Sequence, residues 1–297
     1  MNAISLYIIM GINLYTNFGI NNITFRSDKP KVSPYKTQPQ QDCFIRESKD
    51  VYFGRRLEQL FPNGELDRTF NIMCEELKLD YKPDLNLVVP LDGNAGGGYA
   101  FLNHTITLSL EDCLGSDTKL YGIKDGEKQL QITEQGMPVM TNKVLASYIA
   151  QNPQAAKNKG LDKIVAEPAT DEEVKKLFLQ KLYHELVHAK QHMIMRQTEG
   201  IGAKEIISAW RHLPKNQNKP NIDKVLNKLY KQSYWVNKST PIKYEKDSEQ
   251  GVYAYNCLDA VKNYAPVESE EYKTNYMEVD AYKSSADYVN ERYGEWS

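Results

Sequence analysis

The chain has 297 residues, which is enough for one large domain or two small ones. With 41% hydrophobic and 26% charged residues, it has the composition of an ordinary globular protein. The formal net charge of −2 is nearly balanced, so overall charge gives no reason to expect nucleic acid or a membrane surface as a partner.

The first 42 residues are expected to form a leader and a linker ahead of the folded domain. Residues 3–15 are largely apolar and about as long as a signal-peptide core, but no Lys or Arg precedes Arg26 and no clear small-x-small cleavage site follows. We therefore favour a non-targeting leader or strand over a secretory signal. On this basis the cytoplasm is slightly favoured over secretion, and the compartment is left unknown. The stretch is too short and too interrupted by Asn for stable membrane insertion. Residues 27–42 are polar and hold three prolines, as is typical of a linker.

One domain is predicted over residues 43–297, and its first part mixes helix and strand. Apolar residues recur at three- and four-residue steps over 50–79, which predicts a helix divided by a break at Pro62-Asn63-Gly64. A short apolar strand is expected over 85–91, followed by a flexible glycine-rich turn over 92–98. Residues 99–110 alternate and are rich in Thr and Ile, which predicts a single strand with one apolar face.

After a turn-rich segment over 119–141, for which a further hairpin is one interpretation, comes the best-defined helix. Thr170 and Glu173 form a capping box, and the first turn is acidic, as the helix dipole favours. Gly200 and Gly202 are expected to follow the end of this helix, near Arg196. Its apolar residues predict one continuous core-facing side, made of Val174, Phe178, Leu182, Leu186, Ala189 and Met193.

The last third of the chain is predicted to be helical. Residues 211–246 carry nine Lys or Arg against Asp223 and Glu245, which indicates a solvated helical insertion; the alternative is a patch for an acidic partner. Residues 269–292 are rich in Tyr and predict a final helix.

The cysteines argue against a thiolate metal site. None of the four belongs to a CxxC pair, so isolated buried thiols are favoured over disulfides, and a Cys-rich zinc site is not expected. The four are Cys43, Cys74, Cys113 and Cys257.

A candidate metal site lies late in the capped helix, where the sequence reads His184-Glu185-Leu186-Val187-His188. Residues four apart in a helix differ by about 40° in direction, so His184 and His188 can offer imidazole nitrogens to one zinc ion. Glu185 is turned to the side of the pair, where its carboxylate can take a proton from a water that the zinc ion activates. Leu182 and Leu186 point almost the opposite way, so the histidines are expected to face a cleft.

Zinc needs a third protein ligand, for which Glu278 is preferred. His192 is nearer in sequence, but one further helical turn carries it about 6 Å along the axis, too far from an ion held by the first pair. Glu278 belongs to the predicted last helix, and the small Ala281 one turn later would let that helix approach the first closely. Four other acids are alternative candidates for the third ligand, namely Asp280, Glu268, Glu270 and Glu271.

The HExxH motif followed by a distant helix with Glu278 resembles the zincin metallopeptidases, and among them the gluzincins. The metzincin pattern does not fit, because its third histidine would fall near Ile194. The resemblance covers roughly residues 85–297 and implies an α+β, zincin-like domain with a small mixed sheet and a mainly helical C-terminal part. It also implies that an edge strand lines the cleft above the HExxH helix. Residues 97–110 look like that strand, with Gly98, Tyr99 and Ala100 as the expected substrate-binding residues.

One departure from the resemblance concerns how the histidines are oriented. Gluzincins often carry an acid four residues after the ligand Glu, but that position here is Tyr282. Asp280 could serve, although at two residues from Glu278 it should point elsewhere on a regular helix. The oxyanion group is expected to be a tyrosine or histidine; Tyr276, Tyr282 and Tyr288 lie on the right segment, and for each a packing role is favoured.

The function expected from these residues is zinc-dependent hydrolysis of peptide bonds in a peptide or protein substrate, with Glu185 as the base. The main alternative is a non-catalytic binding or interaction protein that keeps the zincin scaffold. The departure at Tyr282 and the basic insertion fit that alternative, whereas the intact Glu185 argues against it. A secreted or host-directed protease of narrow specificity is a third interpretation, which differs in substrate rather than in chemistry.

Overall fold

The computed structural model describes residues 48–89, 97–134, 136–211, 221–232, 240–265 and 269–296. The predictions for residues 1–42, for Cys43 and for Glu268 fall outside these ranges. None of the helices in the described part of the chain combines the length and apolar character that a bilayer crossing requires.

The fold is mixed α+β, with two small sheets and a helical C-terminal part. The helices are α1 (Lys49–Leu60), α2 (Glu65–Glu76), α3 (Leu110–Leu114), α4 (Lys143–Gln151), α5 (Pro153–Asn158), α6 (Asp171–Arg196), α7 (Ala203–Arg211), α8 (Ile222–Gln232), α9 (Glu249–Lys262), α10 (Glu270–Lys273) and α11 (Tyr276–Tyr293). The strands are β1 (Asp84–Val88), β2 (Gly98–Ala100), β3 (Thr105–Ser109), β4 (Thr118–Lys124), β5 (Glu127–Leu130), β6 (Met140–Thr141) and β7 (Lys163–Pro168).

Helix α6 is the centre of the molecule. Its predicted start is confirmed, since the Thr170 hydroxyl accepts from the Glu173 amide while the Glu173 carboxylate accepts from the Thr170 amide. The six residues predicted to face the core are all buried, as expected. Burial is not limited to that side, however, because consecutive buried residues, 176–180 and 191–195, cover every side of the helix. Helix α11 packs along it most extensively, with α9, α3 and β2 on other sides.

The first sheet has the order β1-β3-β2, with β1 parallel and β2 antiparallel to β3. The single strand predicted over 99–110 was therefore wrong: β2 and β3 form a hairpin, and Leu110 already begins α3. The chain reverses over residues 101–104, where His104 adopts a left-handed conformation with φ 56°. The apolar strand predicted over 85–91 is β1, and residues 90–96 lie outside the described part.

A small lobe is formed by residues 118–168. Its strand β4 pairs antiparallel with β7 along most of its length, with β5 near one end and with β6 near the other. The turn between β4 and β5 has positive φ at Asp125 and Gly126, as a tight hairpin requires, so the hairpin interpretation is confirmed. Helices α4 and α5 cover this sheet, and the lobe has its own small core of Leu120, Ala146, Ala156 and Ile164.

Several other predicted elements are confirmed. The break at residues 62–64 separates α1 from α2, where Asn63 and Gly64 both have positive φ. The predicted final helix is present as α10 and α11, and part of the lysine-rich segment is helical as α8. Cys74, Cys113 and Cys257 are buried free thiols, as expected.

Candidate metal centre

Three side chains from two helices converge on one point. The Nε2 atoms of His184 and His188 are 3.1 Å apart. Glu278 Oε2 lies 3.4 Å from Nε2 of His184, and Glu278 Oε1 lies 3.5 Å from Nε2 of His188. A tetrahedral zinc ion with ligands at about 2.0–2.1 Å separates its ligand atoms by about 3.4 Å. The two nitrogens, and each nitrogen and the carboxylate oxygen that faces it, are therefore about as far apart as neighbouring zinc ligands, and the residues present fit a zinc ion.

The site depends on the close packing of α6 and α11. His184 and His188 lie one turn apart on α6, with their rings perpendicular and their centroids 4.7 Å apart. Glu278 lies in the first turn of α11, where the helix dipole favours a negative charge. Ala281, one turn later, is fully buried between the helices, and its small side chain permits the predicted close approach.

The Glu278 carboxylate is held by two tyrosines that the sequence did not single out. The Tyr264 hydroxyl donates to Oε1 at 2.9 Å and the Tyr272 hydroxyl donates to Oε2 at 2.7 Å. Burial alone would raise the pKa of Glu278, but His188 and His184 outweigh burial and hold that pKa well below its usual range. Glu278 therefore remains a carboxylate, the form in which it can bind a cation.

The charges of His188 and Glu278 stabilise each other inside this buried cluster. Burial lowers the pKa of His188, but the Glu278 carboxylate outweighs it and raises that pKa to about 9. The side chains of His184, His188 and Glu278 are at most 12% exposed, so the histidines do not line an open cleft as the sequence had led us to expect. A metal ion that binds Nε2 of His188 must displace the proton from that nitrogen, which couples metal binding to proton release.

Glu185 lies between the histidines and the edge of the first sheet. It is buried, which raises its pKa, and the backbone N–H of Tyr99 donates to its carboxylate. Gly97 lies beside the same group: a Cβ there would be in ordinary contact with Glu185 Oε1, at 3.6 Å, but would clash with Leu108 Cδ2, at 2.8 Å. The structure thus places β2, which contains Gly98, Tyr99 and Ala100, beside the expected base.

Those alternative ligands whose side chains the structure describes do not join the cluster. His192 is stacked on Phe101, with centroids 4.9 Å apart, and burial lowers its pKa to about 3. The Asp280 carboxylate accepts hydrogen bonds from Gln191 and Tyr253 instead, and Glu271 is exposed. Among the described residues, the only group of three or more His, Cys, Asp or Glu side chains that could hold a metal is His184, His188 and Glu278.

The tyrosines considered for the oxyanion have different surroundings. Tyr282 packs on the ring of His184, with centroids 4.4 Å apart, and its pKa is raised to about 12 by burial and by Glu278. Tyr276 packs near Tyr253, with centroids 5.8 Å apart. Tyr288 stacks on Tyr183 at 4.0 Å, which is the packing role expected for it. Of the three, Tyr282 is the one that contacts a candidate ligand.

Comparison with protein-family models, with curated proteins and with solved structures gives no match for this chain. The candidate site therefore rests on its motif and its geometry. The cluster brings Glu278 within reach of two histidines about ninety positions earlier in the chain, so that the three side chains could hold one metal ion.

Proposed function

We propose that this protein is a zinc-dependent peptidase with a zincin-like catalytic domain of the gluzincin type. The observation that carries the proposal is the meeting of these three side chains, because a distant carboxylate faces both histidines of the HExxH pair at distances close to those between zinc ligands. Two imidazole nitrogens and one carboxylate oxygen are a donor set that suits zinc, whereas calcium and magnesium favour oxygen ligands.

When bound by His184, His188 and Glu278, zinc would polarise the substrate carbonyl and make the attacking water more acidic. The protein's own contribution to the proton transfer is Glu185. Burial raises the pKa of this carboxyl, which suits a group that takes a proton from water and passes it to the leaving amine. The Tyr99 amide holds the carboxylate in place beside the histidines.

The substrate proposal concerns β2, the outer strand of the described first sheet. An extended peptide can pair with the backbone of an edge strand, so that main-chain hydrogen bonds align it and side-chain pockets select it. The peptide would lie along Gly98, Tyr99 and Ala100, and the hydrogen bond from the Tyr99 amide to Glu185 would place the scissile bond near the base.

A non-catalytic binding protein is the second candidate function. It is favoured by His184, whose Nδ1 atom is buried without a hydrogen-bond partner among the described residues. The ring of Tyr282 occupies the position from which an acid would orient that histidine. Glu185 favours catalysis, because a site that only holds a metal has no use for a buried carboxyl there.

The test replaces Glu185 by Gln in the full chain loaded with zinc. Because the change removes the base and keeps the ligands, we expect bound zinc to persist. Chelator-sensitive hydrolysis of an unstructured protein should fall by about two to four orders of magnitude. Glu172→Gln is the matched control, since Glu172 is an exposed acid in the first turn of the same helix, and its turnover should be unchanged.

Each alternative outcome has a distinct meaning. Unchanged turnover in Glu185→Gln would rule out the proposed base. Stoichiometric zinc in a wild-type chain that hydrolyses nothing would favour the binding protein. Absence of zinc from the wild type would reject both functions.

A further inference from the structure

A chain of hydrogen bonds leads away from His188 through three helices. His188 Nδ1 is 2.8 Å from Oε1 of Gln191, which lies one turn later on α6. Gln191 Nε2 donates to the Met277 carbonyl at 3.0 Å and to Asp280 Oδ2 at 2.8 Å, both on α11. The Tyr253 hydroxyl of α9 donates to the same carboxylate oxygen at 2.5 Å.

These partners determine which way the Gln191 amide points. A carbonyl and a carboxylate can only accept hydrogen bonds, so the two N–H groups of the amide must face Met277 and Asp280. If the amide were reversed, its oxygen would face these two acceptors. Because Gln191 is fully buried, water could not relieve that repulsion. Oxygen therefore faces His188, and the nitrogen of His188 beside it must carry a proton.

We infer that Gln191 and Asp280 are positioning residues that fix His188 with Nδ1 protonated and Nε2 aimed at the metal. The inference rests on the metal site of the proposed function and adds residues that the motif does not contain. Histidines that bind metals usually donate their other ring N–H to a carbonyl or carboxylate, which sets the tautomer and orients the ring. Here a glutamine is interposed between the histidine and the acid.

The two ligand histidines are thus held differently. His188 is oriented by this hydrogen-bonded chain, whereas His184 packs against the face of Tyr282, and its Nδ1 lacks a partner within the described ranges. Ring packing restrains the plane of an imidazole but does not choose which nitrogen carries the proton. Among these contacts, the hydrogen bond to Gln191 is therefore the one that selects the tautomer of a ligand histidine before a metal binds.

The first test measures zinc affinity of the full chain by competition with a chromogenic chelator. Gln191→Leu removes the acceptor for His188, and we expect zinc affinity to fall by about 10- to 100-fold. Gln180→Leu is the matched control, because Gln180 is also a fully buried glutamine of α6 but accepts from Trp296 instead. Its zinc affinity should equal that of the wild type.

A rescue separates positioning from packing. In Gln191→Glu the new carboxylate can still accept from His188, but it faces the Asp280 carboxylate, so we expect weaker zinc binding. Adding Asp280→Asn supplies an amide that donates to the new carboxylate. Zinc affinity in Q191E/D280N should therefore recover most of what Q191E loses. A purely structural role predicts no such recovery.

The outcomes distinguish this inference from the proposed function. Zinc affinity unchanged in Gln191→Leu, or equal losses in Q191E and Q191E/D280N, would overturn the positioning role even in an active peptidase. The expected pattern of affinities in a chain that hydrolyses nothing would support positioning and reject only the peptidase. A wild-type chain without zinc affinity would overturn both.

Discussion

The small lobe and the α6–α11 pair bury different kinds of residue. The lobe has an apolar core, to which Leu120 and Ile164 contribute. The interface of α6 and α11 buries His184, Gln191 and Glu278, whose polar groups lose contact with water. Burying polar groups is unfavourable unless each finds a partner. The α6–α11 interface buries polar side chains and gives nearly all of their polar groups a partner. Such an interface is where we expect chemistry to take place.

The strongest test of this comparison is Glu278→Ala. In the wild type, zinc at about 100 times its dissociation constant should raise the free energy of unfolding by about 2.7 kcal/mol. The variant lacks the third ligand, so we expect this zinc-dependent rise to disappear in thermal unfolding. Glu271→Ala, which removes an exposed acid seven positions earlier, should keep the full rise. An undiminished rise in Glu278→Ala would move the third ligand elsewhere.

A cavity in the lobe should leave the metal site intact. Ile164 is buried in the small core, so Ile164→Ala should lower the free energy of unfolding by about 2–5 kcal/mol. Zinc affinity should be unchanged in the fraction that remains folded, because none of the ligands contacts this core. If zinc affinity fell with stability, the lobe and the site would be energetically coupled and the comparison would be too simple.

The smallest effect is expected where the two regions meet. Lys119 of the lobe forms an ion pair with Glu173 in the first turn of α6. Burial raises the pKa of Glu173, but hydrogen bonds from Lys119 and Thr170 outweigh it and lower that pKa overall. Glu173→Gln keeps an acceptor for the capping box and removes the charge, so the expected loss is up to about 1 kcal/mol near neutral pH.

The pH dependence gives this last prediction its sign. Since folding lowers the pKa of Glu173, its stabilisation is fully present above the unfolded-state pKa of about 4.3 and is lost as the pH falls through the lower folded pKa. Urea unfolding at a series of pH values should show the variant approaching the wild type in acid. A constant difference at every pH would assign the effect to packing instead of charge.

The sequence predicts best those features that depend on residues close together in the chain. The capping box of Thr170 and Glu173 and the break at Pro62 are local, and both were predicted correctly. Glu278 was predicted as a ligand because zinc needs a third protein ligand and because the small Ala281 would let its helix approach the HExxH helix closely. Which candidate ligand atoms converge depends on how the helices pack, and that packing is known only from the structure.

Other features depend on partners that no local pattern specifies. Helix α6 is enclosed on all sides partly because α9 packs against it, and no separate helix was predicted at residues 249–262. The alternation of polar and apolar residues predicts one strand where the structure has the hairpin of β2 and β3. Nothing in that alternation shows that His104 adopts a left-handed conformation. Tyr264 and Tyr272 are two of twenty tyrosines, and their role depends on where Glu278 comes to lie.

The long stretch of chain between His188 and Glu278 has a kinetic consequence. An unfolded chain rarely brings together groups ninety positions apart, because closing so large a loop is entropically unfavourable. The three candidate ligands therefore come together only after α6 and α11 have docked, which we expect to happen late in folding. Zinc is accordingly expected to slow the escape from the native state while leaving the rate of reaching it nearly the same. The ion would extend the lifetime of the folded protein more than it would assist its formation.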